Sequence, residues 1–238
     1  MTTGRLILVR HGETIANIAR ELDTLPPGAP LSEEGQRQAA KLGLNLADRP
    51  LAALVSSTAL RAQQTAKPVS ESTARELEVV DGLYEIQAGD LEGRSDRDAH
   101  IAFMEVYRKW HLGDLSARVP GGESGQDALD RYLPQIEELR IGHLGADGSG
   151  DVVVVSHGAV IRLAAAYMGG LDPLFAGRRH LQNTESVVLT PGEAGSWRVE
   201  QWGEDRPPFA PVEEPRYPDA KELDEVDADD EGLENPMG

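Results

Sequence analysis

The sequence predicts an α/β fold, a three-layer α/β/α sandwich with a mostly parallel sheet. Short apolar runs of strand length recur along the chain, and the stretches between them carry helical apolar spacing. The strongest run, Val152-Val153-Val154-Val155, has no polar side at all, as expected of a strand covered by helices on both faces. Strands alternating with helices in this way build a parallel sheet between two helical layers.

The elements follow in order. Leu6-Ile7-Leu8-Val9 is the first buried strand and runs into Arg10-His11-Gly12. Ser32-Glu33-Glu34-Gly35 opens a helix with Ala39, Ala40, Leu42, Leu44 and Leu46 on its apolar positions. Leu51 to Val55 is a second strand, ending at Ser56-Ser57. Residues 59–70 read as a helix stopped near Pro68, since proline removes a backbone donor and crowds the preceding turn. Leu77, Val79 and Val80 mark a third strand. Residues 96–111 and 124–142 read as amphipathic helices, the second with Pro134 as a kink point. The strand 151–155 ends at Ser156-His157-Gly158 and leads into a helix through Met168. Ser186 to Leu189 and Trp197 to Trp202 close the sheet.

The 238 residues suffice for one large domain, 1–202, followed by a tail, 203–238. The tail holds 13 acidic and 3 basic residues, a net of −10 out of the chain's −18, and 6 of the 15 prolines. Such a segment repels itself and has little apolar surface to offset its ordering entropy. A solubilising tail is the simple reading and a docking tail the alternative, with Phe209 and Tyr217 placed to pack its first half on the domain. The acidic balance argues against nucleic-acid binding, which needs a basic footprint. No apolar run is long enough to span a membrane. The four-residue run near the N-terminus is too short for a secretory signal, so the cytoplasm is the expected compartment. Without cysteine there is no thiolate nucleophile or thiolate metal site.

In open α/β sheets a ligand binds beyond the carboxyl ends of the strands. Three strand runs here end in reactive sequence: Arg10-His11-Gly12-Glu13-Thr14, Ser56-Ser57-Thr58 with Arg61 just after it, and Ser156-His157-Gly158. A single histidine at a strand end is usually structural, and an arginine at a helix start usually a solvated charge. If the strands are neighbours, two imidazoles and two guanidiniums meet at one mouth, and an anion between them relieves the repulsion. A phosphoryl group fits that need, since one imidazole can attack phosphorus while the other groups hold its oxygens.

Leu8-Val9-Arg10-His11-Gly12-Glu13-Thr14-Ile15-Ala16-Asn17 resembles the signature of the histidine phosphatase superfamily, the phosphoglycerate mutase-like proteins. Further segments are similar to that family's pattern in the same order: Leu31 to Ala39, Ser56 to Ala66, Tyr84 to Gly93, Pro120 to Ser124, Val155 to Arg162, and Asn183 to Val187. The resemblance covers most of residues 5–202 and implies a phosphoglycerate mutase-like fold. It implies that His11 is the nucleophile that becomes phosphohistidine, that Arg10, Arg61 and His157 hold the phosphoryl oxygens, that Asn17 adds a neutral donor, and that Glu85 protonates the leaving oxygen. His157 thus counts as both catalytic and phosphate-binding. Glu13 reads as a structural acceptor, and Glu123 as a first-turn residue of the following helix that is also placed to orient the nucleophile's ring. His100, His111, His143 and His180 match no motif, and Arg178 and Arg179 fall in a loop.

Glu85 is followed by Ile86-Gln87-Ala88-Gly89, without the basic segment of the mutases, and the positive residues of 95–119 are balanced by acidic ones. The expected activity is therefore metal-independent hydrolysis of a small phosphate ester, with no cofactor. Mutase-type phosphoryl transfer, or phosphate binding without chemistry, is the alternative. A metal hydrolase built on His11, Glu13, Glu85 and His157 lacks the spacing of helix-borne metal motifs. No phosphate loop of the G-x-x-x-x-G-K-[ST] type is present. Glu21 to Pro30 departs from the family pattern beside the pocket, which leaves the substrate open. The oligomeric state is open too, homodimer included.

Overall fold

A computed structural model describes residues 4–144 and 150–209. Six strands form one sheet: β1 (Leu6–Arg10), β2 (Leu51–Ser57), β3 (Leu77–Val80), β4 (Asp151–Ser156), β5 (Ser186–Pro191) and β6 (Trp197–Trp202), in the order β3-β2-β4-β1-β5-β6. The pairs β2–β3, β2–β4 and β1–β4 are parallel, whereas β5 runs antiparallel to both β1 and β6. The helices are α1 (Ile15–Ile18), α2 (Glu33–Leu46), α3 (Leu60–Thr73), α4 (Arg97–His111), α5 (Gly125–His143), α6 (Gly158–Gly169) and α7 (Pro173–Arg178).

The three layers follow from alternation along the central strands. Ile7, Val9, Val153 and Val155 face one side, where Leu46 of α2 and Ala62, Ala66 and Val69 of α3 cover them. Leu6, Leu8, Val152 and Val154 face the other, under side chains of α4, α5, α6 and α7. Successive residues of a strand point to opposite faces, so one all-apolar strand serves both cores.

Pro68 does not stop α3, which continues to Thr73 and ends at Ala74 with φ of +54°. One lost donor is outweighed where the helix is packed on both sides. α2 lies so close that a Cβ on Gly43 would sit 2.7 Å from the Pro68 carbonyl oxygen. Pro134 is likewise held inside α5. The short α1 and α7 carry too little periodicity to be read from sequence. The body also extends past Trp202. Asp205 pairs with Arg179 at 2.5 Å, and the Phe209 ring lies 5.0 Å from that of Phe175. Tyr217 and the acidic run fall outside the described residues. Among the described residues no helix is long and apolar enough to cross a membrane.

Candidate active site

Strand register places the site. Arg10 stands level with Ser156, and Ser56 with Val155, so β1, β4 and β2 end side by side. His11, His157 and Arg61 at the start of α3 therefore converge. The two imidazole rings are 5.2 Å apart, and the Arg61 Nε lies 3.2 Å from both His11 Nε2 and His157 Nδ1. Arg10, His11, Arg61, Glu85 and His157 are each no more than 3% exposed.

The hydrogen bonds assign the ring protons. His11 Nδ1 donates to its neighbour's carbonyl, Gly12 O, at 2.8 Å, which leaves the Nε2 lone pair facing Arg61. Burial, with Arg61 and Arg10 adding to it, holds His11 well below the usual imidazole range, which favours the neutral ring, the form that can act as a nucleophile. His157 accepts from Arg61 at Nδ1 and donates from Nε2 to Ser57 Oγ at 2.7 Å. Burial and the same cationic surroundings depress its pKa too. The tight turn after His11 depends on Gly12, where a Cβ would lie 2.8 Å from the Gly35 carbonyl oxygen of α2.

Arg10 donates from Nη1 to the Leu181 carbonyl. Its Nε and Nη2 are buried without a hydrogen-bond partner among the described residues. Burial lowers its pKa to about 10, which keeps it charged at neutral pH. Orphaned guanidinium donors are costly unless an anion meets them.

Asn17 works within its own helix end. Its Oδ1 accepts from Thr14 N, and Thr14 Oγ1 accepts from Asn17 N, the reciprocal cap of α1. Asn183 Nδ2 approaches the same Oδ1 at 3.5 Å and donates to the His11 carbonyl at 3.0 Å.

Glu85 sits at the N-terminus of α6. Its Oε1 accepts from Ile86 N at 2.8 Å and Val160 N at 2.9 Å, and its Oε2 from Ala159 N at 2.9 Å. The two bonds on Oε1 use both its lone pairs, so an acid proton would sit on the remaining lone pair of Oε2. Arg131 of α5 holds the segment that carries this carboxylate, donating to the carbonyls of Gly82, Tyr84 and Glu85 and stacking 3.9 Å over the Tyr84 ring. Glu123 pairs with Arg131 at 2.8 Å and accepts from Gln87 N. It thus braces the Glu85 segment, while the Gly12 carbonyl, not Glu123, orients the His11 ring. Glu13 accepts from Ser32 Oγ at 2.6 Å.

Three residues that matter here were not singled out from sequence. Ser57 carries no motif beyond its place at a strand end, and Arg131 and Asp23 act across long sequence separations. Asp23 takes the outer edge of Arg61, its carboxylate on Nη1 at 3.2 Å and its carbonyl on Nη2 at 2.9 Å. Among the described residues no group of three or more His, Asp or Glu side chains could hold a metal ion.

A family model described as histidine phosphatase superfamily (branch 1) matches residues 6–205. The chain is 37% identical over 164 residues to a bifunctional protein of Mycobacterium tuberculosis, covering 68% of this chain and 43% of that protein. It thus spans less than half the length of the first curated relatives that it matches. It is 30% identical over 220 residues to a glucosyl-3-phosphoglycerate phosphatase of Mycolicibacterium vanbaalenii, covering 85% of this chain and 95% of that protein. The native structure of a mycobacterial glucosyl-3-phosphoglycerate phosphatase is similar at a TM-score of 0.74 and 27% identity, over 86% of this chain and all of that one.

Proposed function

The chain belongs to the histidine phosphatase superfamily, branch 1, and on that premise we propose that it is a phosphomonoesterase that hydrolyses a small phosphorylated metabolite through a phosphohistidine at His11, without a metal ion. The observation that carries this reading is the pairing of a neutral, oriented His11 with the orphaned Nε and Nη2 of Arg10.

Once an oxygen of the ester takes the Arg61 Nε–H from the ring, the His11 Nε2 lone pair attacks phosphorus, and the bond to the leaving oxygen breaks. Arg10 and the Arg61 Nε hold the equatorial oxygens, where the charge of the transition state gathers. His157 joins them once it carries a proton on Nδ1, which the incoming ester or solvent supplies. The proton on Glu85 Oε2 passes to the leaving oxygen, and the resulting carboxylate accepts a proton from the water that attacks the phosphohistidine. Water is favoured as the acceptor over a second substrate hydroxyl, because the basic residues of the 95–119 segment are balanced by acidic ones. Its Arg118 is already paired with Asp127 at 2.6 Å. The likeness to glucosyl-3-phosphoglycerate phosphatases makes phosphoglycerate derivatives the first esters to try, beside sugar phosphates, phosphoserine and nucleotides.

The test is a panel of such esters ranked by kcat/KM, with rapid quenching of the best one in wild type and His11→Ala. We expect an acid-labile phosphoenzyme in the wild type, and its absence with several orders of magnitude less turnover in the variant. Near-normal turnover in the variant would overturn the reading.

A further inference from the structure

We infer that Asp23 is a positioning residue for phosphoryl transfer, acting through Arg61. The inference rests on the proposed phosphoryl-transfer reading of the site. An arginine has five N–H donors spread over two edges of a plane, and the edge that faces the phosphoryl group depends on what holds the other. Here the other edge is held twice by one residue. The Asp23 carboxylate takes Nη1 and the Asp23 carbonyl takes Nη2. The guanidinium is thereby turned so that Nε points between His11 Nε2 and His157 Nδ1, at 3.2 Å from each.

Asp23 is itself fixed. Ala29 N donates to the same Oδ2 that meets Arg61, and the loop comes close to the guanidinium at Gly28, where a Cβ would fall 2.3 Å from Nη1. Residues 24 and 25 are tied on the other side by Glu92, whose Oε1 accepts from Thr24 N and Leu25 N and whose Oε2 accepts from Thr24 Oγ1. Leu60 N, one residue before Arg61, donates to the Pro27 carbonyl. The loop that departs from the family pattern is therefore built around the aim of one arginine. Burial lowers the pKa of Arg61, and the Asp23 carboxylate offsets part of that lowering.

The test uses the full chain with the best ester from the panel and with inorganic phosphate as a competitive inhibitor. Asp23→Ala should lower kcat/KM by about 10- to 100-fold, the usual cost of a misplaced catalytic group, and weaken phosphate inhibition. Asp23→Asn should recover most of both, because a single amide oxygen can accept from Arg61 and Ala29 together. The decisive step is a double-mutant cycle: added to Arg61→Ala, the Asp23→Ala change should cost nothing further. A role in folding alone would give the same loss in both backgrounds and would overturn the inference, as would an Asp23→Ala protein with wild-type kcat/KM. A wild-type protein that neither turns over the panel nor binds inorganic phosphate by calorimetry overturns the functional reading and this inference with it. The other outcomes leave that reading intact.

Discussion

Replacing Glu85 by glutamine tests two things at once, because the carboxylate is held by three backbone donors. Both of its oxygens must accept, Oε1 from Ile86 N and Val160 N and Oε2 from Ala159 N. Glutamine supplies one oxygen and one NH2. With the oxygen kept on the two-bond side, the NH2 faces the Ala159 N–H at a 2.9 Å contact, donor against donor. An unsatisfied buried group of this kind costs about 1–3 kcal/mol. In a domain of this size each kcal/mol lowers Tm by about 2–4 °C, so a drop of several degrees is expected at neutral pH. The catalytic effect is separate. Loss of general acid help slows alkyl phosphates by roughly two to four orders of magnitude. p-Nitrophenyl phosphate, whose leaving group needs little proton help, should slow far less. The assay is the phosphorylation burst with each substrate, on protein checked by circular dichroism, because loss of the later base role would slow dephosphorylation of both alike. A melting point equal to wild type would refute the seat of Glu85 on α6. Equal slowing of the two bursts would refute its role as acid.

Activity should survive prolonged dialysis against a chelator, and a loss restored by a divalent ion would reverse the metal-independent assignment. His111 is buried and held at about pKa 3, mainly by desolvation. Its folded value lies below its unfolded one, so its stabilising contribution is complete above about pH 6.5 and is lost as pH falls through that range. His111→Leu should flatten the decline between pH 6.5 and 5 by about 2 kcal/mol, read by urea titration at each pH; an unchanged slope would mean the ring is not held neutral. A chain ending at Phe209 should keep full activity. One ending at Trp202 loses the Arg179–Asp205 pair and the Phe175–Phe209 contact, so urea unfolding should find it about 1–3 kcal/mol less stable, and equal stability would show that these contacts contribute little.

The sequence exposes what repeats or clusters locally. Val152–Val155 announces a strand covered on both sides, and the polar ends of three strands announce where a site belongs, since parallel neighbours deliver their carboxyl ends to one edge. Partners chosen by folding are hidden. Arg131 looks like an exposed helix charge until the fold lays it over Tyr84 and against Glu123. Asp23 sits 38 residues before Arg61 with no spacing rule to join them. Pro68 misleads for the same reason, because its local penalty is visible and the packing of α2 that outweighs it is not.

The seat of Glu85 has a consequence for how such a site can change over generations. The first amides of α6, a natural cradle for phosphate, are taken by a carboxylate of the protein itself. In the proposed function the grip on a phosphoryl group is left to side chains from separate loops and strands. A backbone cradle resists mutation, because every residue has an amide. A cradle of side chains can be altered one codon at a time, and an alteration in a loop leaves the sheet beneath it in place. Under the proposed function, new preferences among phosphate esters come within reach of single substitutions at the rim, while Glu85, anchored to the helix, stays where it is.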